Sequence, residues 1–369
     1  MEKLKILFGA DVVPTEEISN AYFAKGDVKT LFGDLPTLIK EYDRFMINLE
    51  CALTDSDKGI EKCGPCLKAD KGTAETLKKL GVTDVALANN HVFDFGIKGL
   101  LDTKETLEKA NLPYTGVGEN DTDSRKIYYI HEKGKTVAIV NVCEHEYSYA
   151  LPDRMGANPF DPFITMQDIR LAKKNADFVV VLYHGGKEHC RYPSPRLRNL
   201  CREMVLNGAC VVLTQHSHCI GCYEEYEGGH IVYGQGNFHF AWPNKTDLWN
   251  TSLVVGVEFA DKVAINFYPI DTVGATVDLA TGERGKEIMD GFFARNEELK
   301  TDAWKQGWHE FCLSMKEMYD WALRDVCLEN EPDEYKNELF AHFLDCEAHT
   351  DVWRELHQTK NAVNEKGEN

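Results

Sequence analysis

The sequence lacks an apolar run of the roughly 18 residues that a membrane-spanning helix needs. At its start, "MEKLKILFGAD" enters a short apolar run with no long apolar core and no small-residue cleavage site, so no signal peptide is expected. A cytoplasmic protein without a membrane span is the expectation. Positive charge is also scarce, with 41 Lys and Arg against 60 Asp and Glu, a net charge of −19. That balance excludes nucleic acid as the main partner, because phosphate backbones need a cationic surface. It disfavours anionic lipid and leaves divalent cations, which carboxylates attract. Internal repeats and low-complexity tracts are absent. The 12 cysteines show no small-domain disulfide rhythm, and reduced, half-buried thiols are expected.

What is present is an alternation of short apolar runs and helical patterns. "LKILFGA" (4–10), "RFMINLE" (44–50), "VTDVALA" (82–88), "DFVVVLY" (177–183) and "ACVVLTQ" (209–215) have the length and composition of buried strands. Helical patterns occupy 73–81, 99–111, 166–176 and 195–208, with Gly81, Asn111 and Gly208 where C-terminal caps belong. This α/β order predicts β-α-β units and a largely parallel central sheet. Beyond residue 220, "CYEEYEGGHIVYGQGNFHF" and 251–270 predict two antiparallel pairs closing a second sheet. From about 284 the strand signal ends. Met315, Tyr319, Ala322 and Val326 fall at helical spacing beside Trp304, Trp308 and Trp321. The chain divides into a domain over 1–283 and a helical extension over 284–369, whose last ten residues, "KNAVNEKGEN", are polar and expected to fray.

The five strands end in polar residues: Asp11; Glu50 with Asn48; Asn90 with His91; His184; and His216 with His218. One such residue is usually a turn former or helix cap. Five of them converge if the strands share a sheet, because ligands of open α/β sheets bind at the carboxyl ends of strands. An Asp/Glu/Asn/His set suits Mn, Fe, Zn or Co. A shared carboxylate such as Glu50 can bridge two ions, and two ions can clamp a phosphoryl displacement.

"FGAD" (8–11), "NLECALT" (48–54), "LANNHVFDFGIKGLLDT" (87–103), "LYHGGKEH" (182–189), "QHSHCI" (215–220) and "VYGQGNF" (232–238) resemble, in order, the motifs of the CapA-type proteins. These proteins are named for capsule and poly-γ-glutamate synthesis and are a branch of the calcineurin-like metallophosphoesterases. The resemblance covers about residues 4–270. It implies an α-β-β-α sandwich with two divalent metals at the sheet edge, a metal-activated hydroxide, and a phosphoester or acidic-polymer substrate. It also implies ligand roles: Asp11 and His218 on the first metal, Glu50 bridging, and Asn90, His184 and His216 on the second. His91 would be the general acid oriented by Asp94, and Asn89 would hold the turn. Asn48, Glu188, His189, Asn237 and His239 are candidates for substrate contact.

The sequence departs from ordinary metallophosphoesterases at Val13, where a ligating His would stand, and at Gln215, where such proteins often carry Gly. The loss at Val13 favours a second reading, a binding or accessory subunit with slow turnover. The intact His91–Asp94 pair favours a hydrolase. A third reading rests on "KCGPCLK" (62–68), a thioredoxin-like Cys pair. That motif works at the start of a helix directly after a strand, whereas polar residues precede it here. Cys219 and Cys222 are read as bystanders.

Overall fold

Residues 2–242, 246–328 and 334–357 are described by the computed structural model. The expected tail at 360–369 and the Val326 side chain lie outside what is described.

The apolar runs form strands that are buried on both faces, with partners alternating as side chains must in a pleated strand. In Leu4–Val12, the side chains of Leu4, Ile6 and Phe8 point into the core between two sheets. Leu7 points to the helices outside. In Phe178–His184, Val180 and Leu182 face inward, while Val179, Val181 and Tyr183 meet a second outer helical layer. The result is the α-β-β-α sandwich implied by the resemblance.

The largely parallel central sheet expected from the alternation is corrected, because its five strands are divided between two sheets. Leu4–Val12, Arg44–Leu49 and Asp84–Ala86 pair in parallel in one sheet. Phe178–His184 and Val211–Gln215 pair in parallel in another, together with Lys135–Cys143. A doubly buried strand reads as a continuous apolar run in either sheet, so the run does not reveal its partner. The two late hairpins are antiparallel, as expected, but they do not build a sheet of their own. Ile220–Tyr226 and Gly229–Gln235 extend the second sheet beside Val211–Gln215. Thr251–Phe259 and Ala264–Val273 extend the first beside Leu4–Val12. The hairpin Tyr128–Glu132/Lys135–Cys143 was not anticipated.

The four expected helices are Gly72–Leu80, Gly96–Lys109, Pro162–Asn175 and Pro195–Leu206. The last two begin on a Pro after an acceptor side chain: Asp161 accepts from Phe163 and Ile164 N–H, and Ser194 accepts from Leu197 N–H. Both arrangements are stable helix starts.

Among the described residues, four helices follow residue 281: Gly282–Leu299, Ala303–Leu328, Glu334–Asp345 and Glu347–Leu356. The boundary expected at 283/284 falls in the first turn of the first of these. That helix buries Ile288 and Phe292 in the core between the sheets. The others gather Trp308, Tyr319, Ala322, Phe343 and Val352 around Cys190 of the sandwich, with Met315 packed at the edge. Among the described residues, no helix is long and apolar enough to cross a membrane.

Candidate metal centre

Both sheets end at one edge of the sandwich, and their registers align the polar residues there. Asp11 pairs with Asn48 on one side and Asn237 on the other, while His184 pairs with Gln215. The strand carrying Asp11 has a bulge between Phe8 and Asp11. A Cβ on Gly9, inside the bulge, would come within 3.0 Å of Ile47 and 3.2 Å of Phe45, so a larger residue there would have to push those side chains aside. Bulges of this kind re-aim side chains beside sites.

Asp11, Glu50 and His184 bring one ligand atom each within 4.8 Å of one another, and so do Glu50, His216 and His218. Glu50 belongs to both groups, as a bridging carboxylate must. His184 and His218 both stand 3.8 Å from Asp11, so these groups do not divide the histidines between two ions. Asn90 Oδ1 faces His184 Nε2 at 2.9 Å. Asn237 Oδ1 lies 2.9 Å from His218 Nδ1, which fixes that nitrogen as the protonated one and frees Nε2. His189, His216 and His218 have φ of 63°, 83° and 53°, half of the six non-glycine residues with positive φ among those described. Such backbone costs about 1–3 kcal/mol per residue and gathers at functional sites.

The centre is buried and rich in acid. Burial, then Glu50, pushes Asp11 up to about 7. Burial raises Glu50 to about 8. Burial also lowers His184 to about 4. For His216 burial acts downward, but Glu146, Glu188 and Glu50 outweigh it and raise the ring. Glu50 is fully buried, and among the described residues neither of its carboxylate oxygens has a hydrogen-bond partner. His216 Nδ1 is likewise buried without one. Orphaned buried acceptors of this kind are costly, and divalent cations satisfy them. The residues present therefore fit a metal centre.

Beside it, His91 Nδ1 lies 2.6 Å from Asp94 Oδ2. Asp94 also accepts from Leu67 N–H at 2.7 Å and from Lys62 Nζ at 2.7 Å. Burial alone would raise Asp94, but His91 and Lys62 hold it below the ordinary carboxylate value. His91 itself is lowered, by burial first and by Lys62 second. Asn89 Nδ2 donates to Asn48 Oδ1 and the Leu49 carbonyl, and its Oδ1 accepts from His91 N–H. That amide ties the turn to the neighbouring strand.

With this geometry in view, the description "bacterial capsule synthesis protein PGA_cap" matches residues 5–241. The chain belongs to the PGA_cap family. Among curated relatives, the capsule biosynthesis protein CapA of Bacillus anthracis is 32% identical over 67% of this chain and 62% of its own length. The PGA biosynthesis protein CapA of Bacillus subtilis is 35% identical over 66% of each. The matches thus leave about a third of those relatives unspanned. A solved structure of a Staphylococcus aureus putative 5′-nucleotidase is 15% identical, covering 79% of this chain and 58% of its own, with a TM-score of 0.46. A hypothetical protein from Thermus thermophilus is 17% identical, covering 73% of this chain and all of its own, with a TM-score of 0.49.

Within this PGA_cap chain the remaining candidates scatter. Asn48 Nδ2 donates to Asp11 Oδ1 at 2.8 Å and so supports a ligand. Asn237 supports His218 by accepting from its Nδ1–H. Glu188 reaches 4.0 Å from His218 Nε2 with its side chain 39% exposed, and the exposed His189 ring lies 6.3 Å from that of His218. His239 is corrected as a pocket residue. It is fully buried, its ring packs edge-on against Phe23 and Phe32, and its Nε2 faces the Ala275 carbonyl. Early helices that the sequence reading had not marked, Glu17–Lys25 and Val28–Phe32, bring those rings in. Val13 is fully buried in the apolar core.

Four residues near the centre had been passed over. Glu146, its side chain 10% exposed, lies 3.5 Å from His216 Nε2 and accepts from Asn90 Nδ2 at 3.0 Å. This contact orients the Asn90 amide so that its carbonyl faces His184. Lys62, 2% exposed, pairs with Asp94. His342 stacks on Tyr147, and His349 stands edge-on to His342. The sixth strand end, after Cys143, carries Glu146 and was the signal available for it. The Cys63–Cys66 pair opens no helix, since a short strand, Lys68–Ala69, follows it. Burial raises the Cys66 thiol above its ordinary value, the opposite of the activation a redox cysteine needs.

Proposed function

We propose that this PGA_cap protein is a metal-dependent hydrolase of phosphoester type, acting in the making of a capsule or poly-γ-glutamate-like polymer. The observation that carries the reading is Glu50, a carboxylate whose buried oxygens have no hydrogen bond among the described residues and face the His184 ring at 3.3 Å, where two ligand groups overlap. Asp11, Glu50, Asn90, His184, His216 and His218 would hold two divalent ions of the Mn, Fe, Zn or Co class. Bound there, the ions would supply Lewis-acid polarisation and charge neutralisation at the scissile group. Asp94 fixes the His91 ring through Nδ1, leaving Nε2 to give a proton to the leaving group. Lys62 balances the charge of Asp94. Asn48, Asn237 and Glu146 hold the ligands in place.

The test is metal analysis of the purified protein followed by a phosphoester panel. The wild type is expected to carry one to two divalent ions, and His184→Ala/His216→Ala to lose the tighter one. Metal content unchanged in the double variant would remove the basis of this reading. Relatives described as probable polyglutamine synthesis accessory proteins support a second reading, an accessory subunit with slow turnover. A metal-loaded protein inert across the panel would favour it.

The raised carboxyls give this reading a pH signature. With Asp11 near 7 and Glu50 near 8, the metal-free folded chain keeps protons that the unfolded chain has lost. At these two groups the unfolded state binds fewer protons between about pH 4 and pH 8, so their contribution to metal-free stability falls as pH rises. His184, lowered to about 4, acts the other way below its ordinary value of 6.5, and the fall is read above that pH. Metal binding expels those protons. The drop in Tm caused by chelation should then be larger at pH 8 than at pH 6.5. An equal drop at both would show that these carboxyls are not the ligands.

A further inference from the structure

Two residues of one short segment are held by the C-terminal helices, and the residue between them faces the metal centre. His145 donates its N–H to Glu347 at 2.8 Å, and its Nδ1 lies 3.0 Å from Asp345 Oδ1. The Tyr147 ring stacks on His342, with centroids 5.5 Å apart and planes at 23°. Between them, Glu146 accepts from Asn90 Nδ2 and stands 3.5 Å from His216 Nε2. The strand Lys135–Cys143 runs into this segment with Cys143 paired to His184. The family match ends at residue 241, so His342, Asp345 and Glu347 all lie beyond it.

Tyr147 reaches the His91–Asp94 pair through a second segment. Its Oη accepts from Cys63 N–H at 3.0 Å. Lys62 Nζ lies 5.5 Å from its ring centroid, within the range of a cation–π contact. The Lys62 side chain, 2% exposed, meets Asp94 Oδ1 at 2.7 Å and stands 3.3 Å from His91 Nδ1. Two more contacts tie the segment to the same residue: Leu67 N–H donates to Asp94 Oδ2 at 2.7 Å, and Ile60 N–H to the Asp94 carbonyl at 2.9 Å. Residues 60–67 thus hold Asp94 at three points, yet they form neither helix nor strand. A segment without a hydrogen-bond ladder of its own opens at low cost unless something packs on it. Lysine carries its charge on a flexible four-carbon stem. A ring against the ammonium, and a hydroxyl on the next N–H, fix where that stem begins and ends. Packing alone would use phenylalanine as well as tyrosine, whereas this hydroxyl takes a backbone N–H.

We propose that Tyr147 is a positioning residue for the His91–Asp94 pair, held in place by the C-terminal helices, so that the extension beyond the family match governs proton delivery to the leaving group. The proposal deepens the hydrolase reading and rests on it for the reaction that the pair serves.

Tyr147→Leu and Tyr147→Phe, made in the full-length, metal-analysed protein and assayed on an alkyl and an aryl phosphate, test it. In Tyr147→Leu, kcat on the alkyl phosphate is expected to fall about tenfold or more, part of what a lost general acid costs. The aryl phosphate should be slowed much less, with metal content unchanged. Tyr147→Phe keeps the ring beside Lys62 and His342 and should recover most of the loss. His342→Ala should shift the alkyl-to-aryl ratio in the same direction as Tyr147→Leu, and no shift there would overturn the part assigned to the helices. A purely structural role lowers the amount of active protein and slows both substrates alike. In an active wild type, equal slowing by Tyr147→Leu, or none, overturns the proposal. Amide hydrogen exchange gives a readout apart from turnover. Ile60, Cys63 and Leu67 N–H should lose protection in Tyr147→Leu, and unchanged protection also overturns the proposal. Lost protection at these amides in a protein whose wild type cleaves no phosphoester would keep the positioning role and sink the hydrolase reading. An active wild type with leaving-group selectivity indifferent to Tyr147 would do the reverse.

Discussion

His91→Ala is expected to slow hydrolysis of an alkyl phosphate by roughly 10² or more, the scale of a lost general acid, with metal content unchanged. The expectation follows from where the ring's two nitrogens go. Nδ1 is committed to Asp94 at 2.6 Å, so only Nε2 can serve a leaving group. Asp94 is fixed in turn by Leu67 N–H and Lys62, which makes the pair a rigid unit. His91 is neither in the two ligand groups nor within reach of Glu50 as His184 is, so its loss should leave the ions in place. An aryl phosphate, whose leaving group needs little protonation, should be slowed much less. Equal slowing of both substrates would show that His91 is not the acid. Loss of metal in the variant would show that it is a ligand.

The residues that make this argument possible were legible because strand ends are. Asp11, Glu50, Asn90, His184 and His216 each follow an apolar run, and a polar residue in that position is visible in one dimension. The split of those strands between two sheets was not, because a doubly buried strand carries the same run in either sheet. His239 misled for a related reason. It sits two residues after Asn237, which does contact His218, but the aromatic helices that claim its ring are far away in sequence. Glu146 and Lys62 stayed hidden because each lies in a polar loop, where a charged residue is ordinary. Only the fold brings Lys62 within 2.7 Å of Asp94. His342 and His349 had no partners in sequence, since theirs are Tyr147, Tyr319 and one another.

Truncation after residue 280 is expected to give an insoluble or aggregating protein. The helix Gly282–Leu299 places Ile288 and Phe292 in the same cluster as Ile220, Val232 and Val257, so its loss opens the core between the sheets. Leu299 and Trp304 lie in the outer cluster with Leu200 and Tyr233, and Trp308 and Tyr319 cover Cys190. Burying each large side chain contributes about 1.5–3 kcal/mol, and each one removed uncovers a matching apolar patch on the sandwich. Patches of that kind drive association. The polar ties would go as well: Arg196, which bridges Glu144 and Asp351, would keep only one of its carboxylates. Size-exclusion chromatography and metal analysis of the truncated chain check the expectation. A soluble, monomeric fragment with full metal content would show that residues 281–369 are a separate module docked on a complete domain.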